Sequence, residues 1–302
     1  MEAGEIIIED QGLRDGLQSL PVTVPTATKL RWAGLLADAG IRRLQVASFV
    51  HPGKVPQMSD AEEVVQGLRA REGLVVSALV LNPRGIERAL ASGIGHVAAS
   101  LSASDTHSRR NTGMGLEEAM EAFRQMASQA RSAGLRVRGG VQCAFGCRYE
   151  GDIPMERVVT LVKLLLDSGV DEIALADSTG MGHPRQVAEA CRLVMSHCGA
   201  VPVSLHLHNT ENKGYVNLMA AIDAGVRRFD TAFGGLGGCP FIQGATGNIA
   251  TEDTVHLLHQ SGWQTGIDVS AVAAVSREAE ALLGTPLPGL LYKMMGRDDI
   301  RI

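Results

Sequence analysis

Residues 164–177 read LLLDSGVDEIALAD, and this stretch decides the fold. A helix-like apolar run stops at Ser168-Gly169, and the β-type run DEIALA (171–176) follows at once. Glycine at such a stop supplies the left-handed cap that ends a helix before the next strand. The same punctuation stands at Ala39-Gly40, Ser92-Gly93, Ala133-Gly134 and Ala224-Gly225. Outward from it, further β-type runs lie at 5–9, 42–48, 74–81, 95–101, 135–143, 201–206 and 228–233. Helix starts fall between them. Ser59 and Glu62 have capping-box spacing, Asn82-Pro83 reads as an N-cap followed by proline, and Asp152-Ile153-Pro154 as a looser version.

Eight strands alternating with helices predict parallel pairing with helical crossovers. A closed (β/α)8 TIM barrel leaves no edge strand, and this is the fold expected. An open doubly wound sheet with an extra helical domain is the alternative. Residues 250–302 read as additional C-terminal helices and a short tail packed on the barrel, and 1–302 as one catalytic domain. The chain has 302 residues, 45% apolar and 20% charged, so a large core is feasible. A formal charge of −5 argues against nucleic acid as a partner. No apolar run approaches the roughly 18 residues of a membrane helix. The start, MEAGEIIIED, lacks a signal peptide's basic and apolar parts, and the five cysteines form no paired CxxC motifs. Both features fit reduced thiols in a cytoplasmic protein.

In such a barrel, chemistry collects at the C-terminal ends of the strands. Arg14-Asp15 follows the first strand, Gln45 and Ser48 lie on the second, and Asp177 follows the sixth. His206-Leu207-His208 ends the seventh, and Gly234-Gly235-Leu236-Gly237-Gly238-Cys239-Pro240 follows the eighth. Residues i and i+2 of a strand point to one side, so both imidazoles can face one point, half of a metal site. Asp15 is the natural carboxylate partner. The alternative is two polar residues satisfied by loops or water. Arg14-Asp15-Gly16 is likewise either a polar turn or a cation ligand beside a fixed positive charge. The run GGLGG lacks the Walker and dinucleotide spacings and reads as a flexible loop. Within it, Cys239 is a candidate acid or base, or else a packed small residue.

Taken together, several motifs resemble the 3-hydroxy-3-methylglutaryl-CoA (HMG-CoA) lyase family. They are Asp10-x-Gly12-x-Arg14-Asp15-Gly16-Leu17-Gln18, Ser48-Phe49-Val50, Val55-Pro56-Gln57-Met58, Arg138-Gly139, Gly146-Cys147 and Tyr149-Glu150-Gly151. His206-x-His208 and the run 235–240, continued by 243–245 and 247–253, complete the likeness over about residues 6–285. The resemblance implies a metal-dependent barrel enzyme that cleaves HMG-CoA to acetyl-CoA and acetoacetate, a step of leucine degradation. It implies a divalent cation, Mg²⁺ or Mn²⁺, held by Asp15, His206, His208 and Asn248. Arg14 then stabilises the enolate of departing acetyl-CoA, Cys239 helps protonate it, and Asp177 is an active-site aspartate. Gln18, Gln45, Ser48 and Asn111 become substrate contacts, with Lys54 and Arg110 near the CoA phosphates. The partners implied are an acyl-CoA substrate and further copies of the chain, as a dimer or tetramer.

Three positions depart from the family pattern. Gln45 stands where glutamate is usual, Asn209 where aspartate is usual, and Ala174-Leu175-Ala176 where serine and glycine occupy the first and third places. Glutamine keeps hydrogen bonding but loses a charge and cannot act as a base. The departures are either neutral drift or the mark of a different branched 3-hydroxyacyl-CoA, cleaved or condensed. A silent acyl-CoA-binding barrel is the third reading, and retention of Arg14, Asp15, both histidines, Asn248 and Cys239 weighs against it.

Overall fold

The computed structural model of the chain describes residues 4–238 and 247–295. Eight parallel strands form a closed barrel in sequence order. They are β1 (Ile7–Asp10), β2 (Arg43–Ser48), β3 (Val75–Leu79), β4 (His96–Ser102), β5 (Arg136–Gln142), β6 (Glu172–Asp177), β7 (Val203–Leu207) and β8 (Arg228–Thr231). Closure is made by β8 on β1, with Ile7 opposite Arg228 and Asp10 opposite Thr231. Each strand falls on a β-type run of the sequence, and the open-sheet alternative is excluded by the closure. The five glycine stops all have positive φ. Gly40 has a second reason to be glycine, because a Cβ there would lie 2.1 Å from the Gly266 carbonyl oxygen.

The crossovers carry α1 (Thr26–Asp38), α2 (Ala61–Leu68), α3 (Pro83–Ser92), α4 (Asp105–Thr112), α5 (Leu116–Ser132), α6 (Met155–Asp167), α7 (Pro184–Cys198) and α8 (Gly214–Asp223). Asn82 caps α3 as expected, accepting from the Gly85 amide at 2.8 Å. The capping box at Ser59 and Glu62 does not form. Asp60 flanks α2 instead, and the Glu62 carboxylate is taken by Arg88 at 2.6 and 2.9 Å. An Arg–carboxylate fork outcompetes a single backbone amide. Nor does Asp152 cap α6, because Pro154 occupies the flanking position and offers no side-chain acceptor.

After β8 come α9 (Thr251–Gln260), α10 (Val269–Leu283) and α11 (Leu291–Met294). Tyr215 on α8 donates to Asp253 on α9 at 3.2 Å, and Trp32 on α1 donates to Glu278 on α10 at 2.7 Å. These helices therefore complete the outer circuit, and none of their residues lines the central chamber. Among the described residues no helix is long and apolar enough to cross a membrane.

Apolar packing lies between strands and helices, where Trp32, Leu36, Phe123, Leu165, Val194 and Leu205 are buried. Inside the barrel the lower half is a lattice of charges. Glu172 meets Arg43 at 3.0 Å, Arg138 at 3.0 Å and Arg228 at 2.6 Å. Arg138 grips both oxygens of Asp230 at 2.8 and 2.9 Å, and Ser204 at 2.8 Å. This lattice is the floor on which the upper half of the interior rests.

Candidate active site

A chamber of about 510 Å³ opens at the C-terminal ends of the strands, bounded by Arg14, Asp15, Gln45, Arg138, His206 and His208 among others. Arg14 and Asp15 reach it through a π-helical turn, Gly12–Gly16, in which the amides of Arg14, Asp15 and Gly16 all point to the Gln11 carbonyl. Glycine lets this turn nest against the loop after β8. A Cβ on Gly12 would lie 2.4 Å from the Phe233 ring, and one on Gly16 would lie 2.7 Å from Leu236. Beneath the turn, Asp10 accepts from the Gly12 amide at 2.8 Å and from Thr251 at 2.6 Å. Burial pushes the Asp10 carboxyl up to about 6.

Asp15, His206 and His208 form the candidate metal cluster found among the described residues. The two imidazole Nε2 atoms are 3.0 Å apart, and Asp15 Oδ2 lies 4.0 Å from one and 3.8 Å from the other. Two ligands bound to one small cation at about 2.1 Å and at right angles lie about 3 Å apart, so the histidine pair fits one ion. The tautomer is suited too. His206 Nδ1 faces Asp230 Oδ2 at 3.2 Å, so its proton goes to that carboxylate and Nε2 keeps its lone pair for a cation. Asn248 donates to Asp15 Oδ2 at 2.8 Å and to the Leu236 carbonyl at 3.0 Å. Its buried Oδ1 has no hydrogen-bond partner among the described residues. A buried acceptor left unpaired beside a carboxylate and two imidazoles is what a cation site offers.

Burial works against ionisation of Asp15, but the Arg14 guanidinium and the two histidines outweigh it and hold the carboxyl well below its ordinary value. Arg14 is itself held three ways. Its Nε donates to Gln45 Oε1, one terminal nitrogen to Asp15, and the other to Gln11 Oε1. Gln11 in turn donates to Asp230 Oδ2 at 2.5 Å. One chain of contacts thus ties the arginine to the carboxylate that orients His206.

The remaining expected site residues divide. Gln18, Gln45 and Asn111 border the chamber, with the Asn111 amide 3.5 Å from Gln142. Lys54 stands on its wall and is exposed, whereas Arg110 stacks on the Tyr149 ring at 4.3 Å. Ser48 and Asp177 are fully buried but do not line the chamber. On β6 the alternation puts Ala174 and Ala176 on the chamber wall, which turns Asp177 away. There it accepts from the Gly182 amide at 3.1 Å, and burial raises its carboxyl. Cys239 lies outside the described residues. Cys143, the residue after β5, is fully buried.

Gln11 and Asp230 were not singled out by sequence, and Arg138 entered only within the Arg138-Gly139 motif, without a role in the site. One signal was present: Asp230 lies opposite His206 in the β7–β8 register, so a charged residue on a buried strand shares a layer with the histidine.

Residues 5–278 match the HMGL-like family. Over 97% of the chain and 95% of the relative, the sequence is 42% identical to the (R)-citramalyl-CoA lyase of Chloroflexus aurantiacus. It is 36% identical to a hydroxymethylglutaryl-CoA lyase of Bacillus subtilis over 94% of the chain and 95% of the relative. The structure also superposes on an HMG-CoA lyase from A. baumannii solved with coenzyme A and 3-methylmalate. The TM-score is 0.93 at 37% identity, covering 99% of this chain and 97% of that one. With the glycine-nested turn, the paired histidines and these relatives in agreement, the chain belongs to the HMG-CoA lyase family of carbon–carbon lyases.

Proposed function

We propose that this protein is a divalent-cation-dependent lyase that splits a branched 3-hydroxyacyl-CoA into acetyl-CoA and a ketone. The observation that carries the reading is the group of Asp15, His206, His208 and the unpaired Asn248 oxygen, set beside Arg14 in one open chamber. These four residues hold the cation, with Mg²⁺ or Mn²⁺ favoured because no thiolate joins the oxygen and nitrogen donors. When bound, the ion supplies Lewis acidity that makes the carbinol easier to deprotonate. Arg14, fixed by Gln11 and Gln45, stabilises the oxyanion of the thioester enolate. Loss of the carbinol proton, scission of the C2–C3 bond and return of a proton to C2 balance the reaction. Cys239 is the proposed donor of that last proton. Asp177 acts on this scheme only through the β6 end it anchors.

The first reading of the substrate is HMG-CoA, giving acetyl-CoA and acetoacetate in leucine degradation. The second is citramalyl-CoA, giving acetyl-CoA and pyruvate. It is favoured by the 42% identical relative and by the inward Gln45, which removes an anion from the chamber wall. We assign the protein to the cytoplasm as a dimer or tetramer. A coupled assay of acetyl-CoA release from both thioesters, with Mg²⁺, Mn²⁺ or EDTA, tests the reading. Cation-dependent release is expected from one of them. Tight acyl-CoA binding without release from either would instead identify a silent acyl-CoA-binding barrel.

A further inference from the structure

Arg14 is surrounded by two neutral amides and one carboxylate, and the chemistry of donors fixes which way those amides face. A guanidinium N–H can only donate, so the Gln45 atom against Arg14 Nε must be its carbonyl oxygen. Gln11 is fixed twice over, with its oxygen on Arg14 and its NH₂ on Asp230 Oδ2. The consequence for Gln45 is that its NH₂ is turned away from Arg14, and Gln45 borders the chamber. The β2–β3 register shifts between Gln45 and Ala47, an irregularity of the kind that re-aims a side chain next to a site.

The charge around this donor matters as much as its direction. Among the described residues bordering the chamber, the Arg and Lys side chains are Arg14, Lys54 and Arg138. Arg138 is engaged by Asp230 and Glu172, and Lys54 is exposed. Arg14 has Asp15 as its carboxylate partner and glutamines elsewhere, so its positive field reaches the chamber next to Gln45. Asp15 also faces the two histidines, which places this field directly beside the candidate cation site. The wall made by Leu79, Ala98, Ala174 and Ala176 offers a carboxylate nothing comparable.

We infer that Gln45 is a specificity-determining residue whose NH₂ receives the free carboxylate of the substrate, selecting thioesters that carry this carboxylate on the carbinol carbon itself. Such a group stays beside the cation site when the carbinol is seated there, within reach of Gln45 and the field of Arg14. A carboxylate one methylene further out is carried away from both. This inference rests on the lyase reading above and names its substrate class.

The experiment compares wild type, Gln45→Glu and Gln45→Met on citramalyl-CoA and HMG-CoA, in steady-state turnover and in calorimetric titration with Mg²⁺ present. Both variants keep the side chain's length. Glutamate can still accept from Arg14 but places an anion against the carboxylate, and methionine removes the donor. For citramalyl-CoA, KM and the calorimetric Kd should rise about 10-fold or more in both variants. For HMG-CoA the change in KM and Kd should stay under about threefold, whatever Gln45→Glu does to its turnover, so the ratio of affinities between thioesters moves. Equal changes for both thioesters, or none, would overturn the assignment, because a merely structural role weakens both alike. Failure of the lyase reading looks different: wild type would release acetyl-CoA from neither thioester. The calorimetric ratio would still decide the role of Gln45 in that case.

Discussion

Two polar clusters share the barrel axis, and they treat their hydrogen-bonding groups in opposite ways. In the lower cluster Glu172 receives three arginines, and Asp230 has both its oxygens met by one terminal nitrogen of Arg138 and takes a bond from Gln11. In the upper cluster Asn248 Oδ1 and His208 Nδ1 have no partner among the described residues, although both are buried. Burying a charge is tolerated when it is paired and costly when it is not. The lower cluster has therefore spent nearly all its bonding capacity on itself, with Arg138 Nε held to Glu172 as an ion pair without a hydrogen bond, and acts as a rigid floor. The upper cluster keeps capacity in reserve, which is what a site for a cation and an anionic substrate requires.

The sharpest way to break this contrast is to remove a charge from the floor. Arg138 is the cation common to Asp230, Glu172 and Glu9, the last 3.5 Å away, and Arg138→Met should cost about 3–5 kcal/mol of stability. Urea denaturation measures it, and a loss under about 1 kcal/mol would mean the floor is not held by its ion pairs. Slightly smaller in energy, but aimed at function, is His208→Ala in the upper cluster. It should lower kcat/KM by about 10³-fold or more while shifting Tm little. A large fall in Tm with modest loss of activity would place His208 with the floor instead.

Gln45→Glu probes the boundary between the clusters. Restoring an anion that can accept a proton should raise turnover of HMG-CoA by ~10-fold. Steady-state kinetics at several pH values decide this. A wild type already fast on HMG-CoA, with the variant neutral or harmful, would make the glutamine a neutral replacement.

The last test reads a slope against pH and concerns Glu252, a buried carboxyl outside both clusters. It accepts from the Gly234 amide at 3.0 Å, while its Oε1 has no partner among the described residues. Burial pushes it up to about 8 from an ordinary value of 4.5. Its proton is retained on folding, so the stability it contributes is full below about pH 4.5 and is lost as pH rises towards 8. The expected slope is at most about 1.4 kcal/mol per pH unit. Glu252→Gln should flatten stability against pH over that window, and an unchanged slope in urea melts would refute the assignment.

Much of the architecture was legible because local physics decides it. Glycine stops and β-type runs located all eight strands, and period-two alternation put His206 and His208 on one side. What failed did so for two reasons, one tertiary and one of strand phase. Glu62 left its capping box because Arg88, brought in by α3, was the better partner. Asp177, one residue out of phase with Ala176, turned away from the chamber.

By itself, then, the sequence determined the alternation of strand and helix, the parallel direction of the strands and the residue types gathered at one end. Those follow from spacing, and spacing is a property of the chain alone. Closure into a barrel was seen only in the structure. Only the tertiary structure decided that Gln11 and Gln45 both turn their oxygens to Arg14, and that Asp230 orients His206. It also decided that the charges of β1, β2, β5, β6 and β8 meet in one lattice. These pairings join residues as far apart as Gln11 and Asp230, and barrel closure brings them together. A hydrogen-bond donor has no direction until its partner is in place, and here the partners lie on other strands.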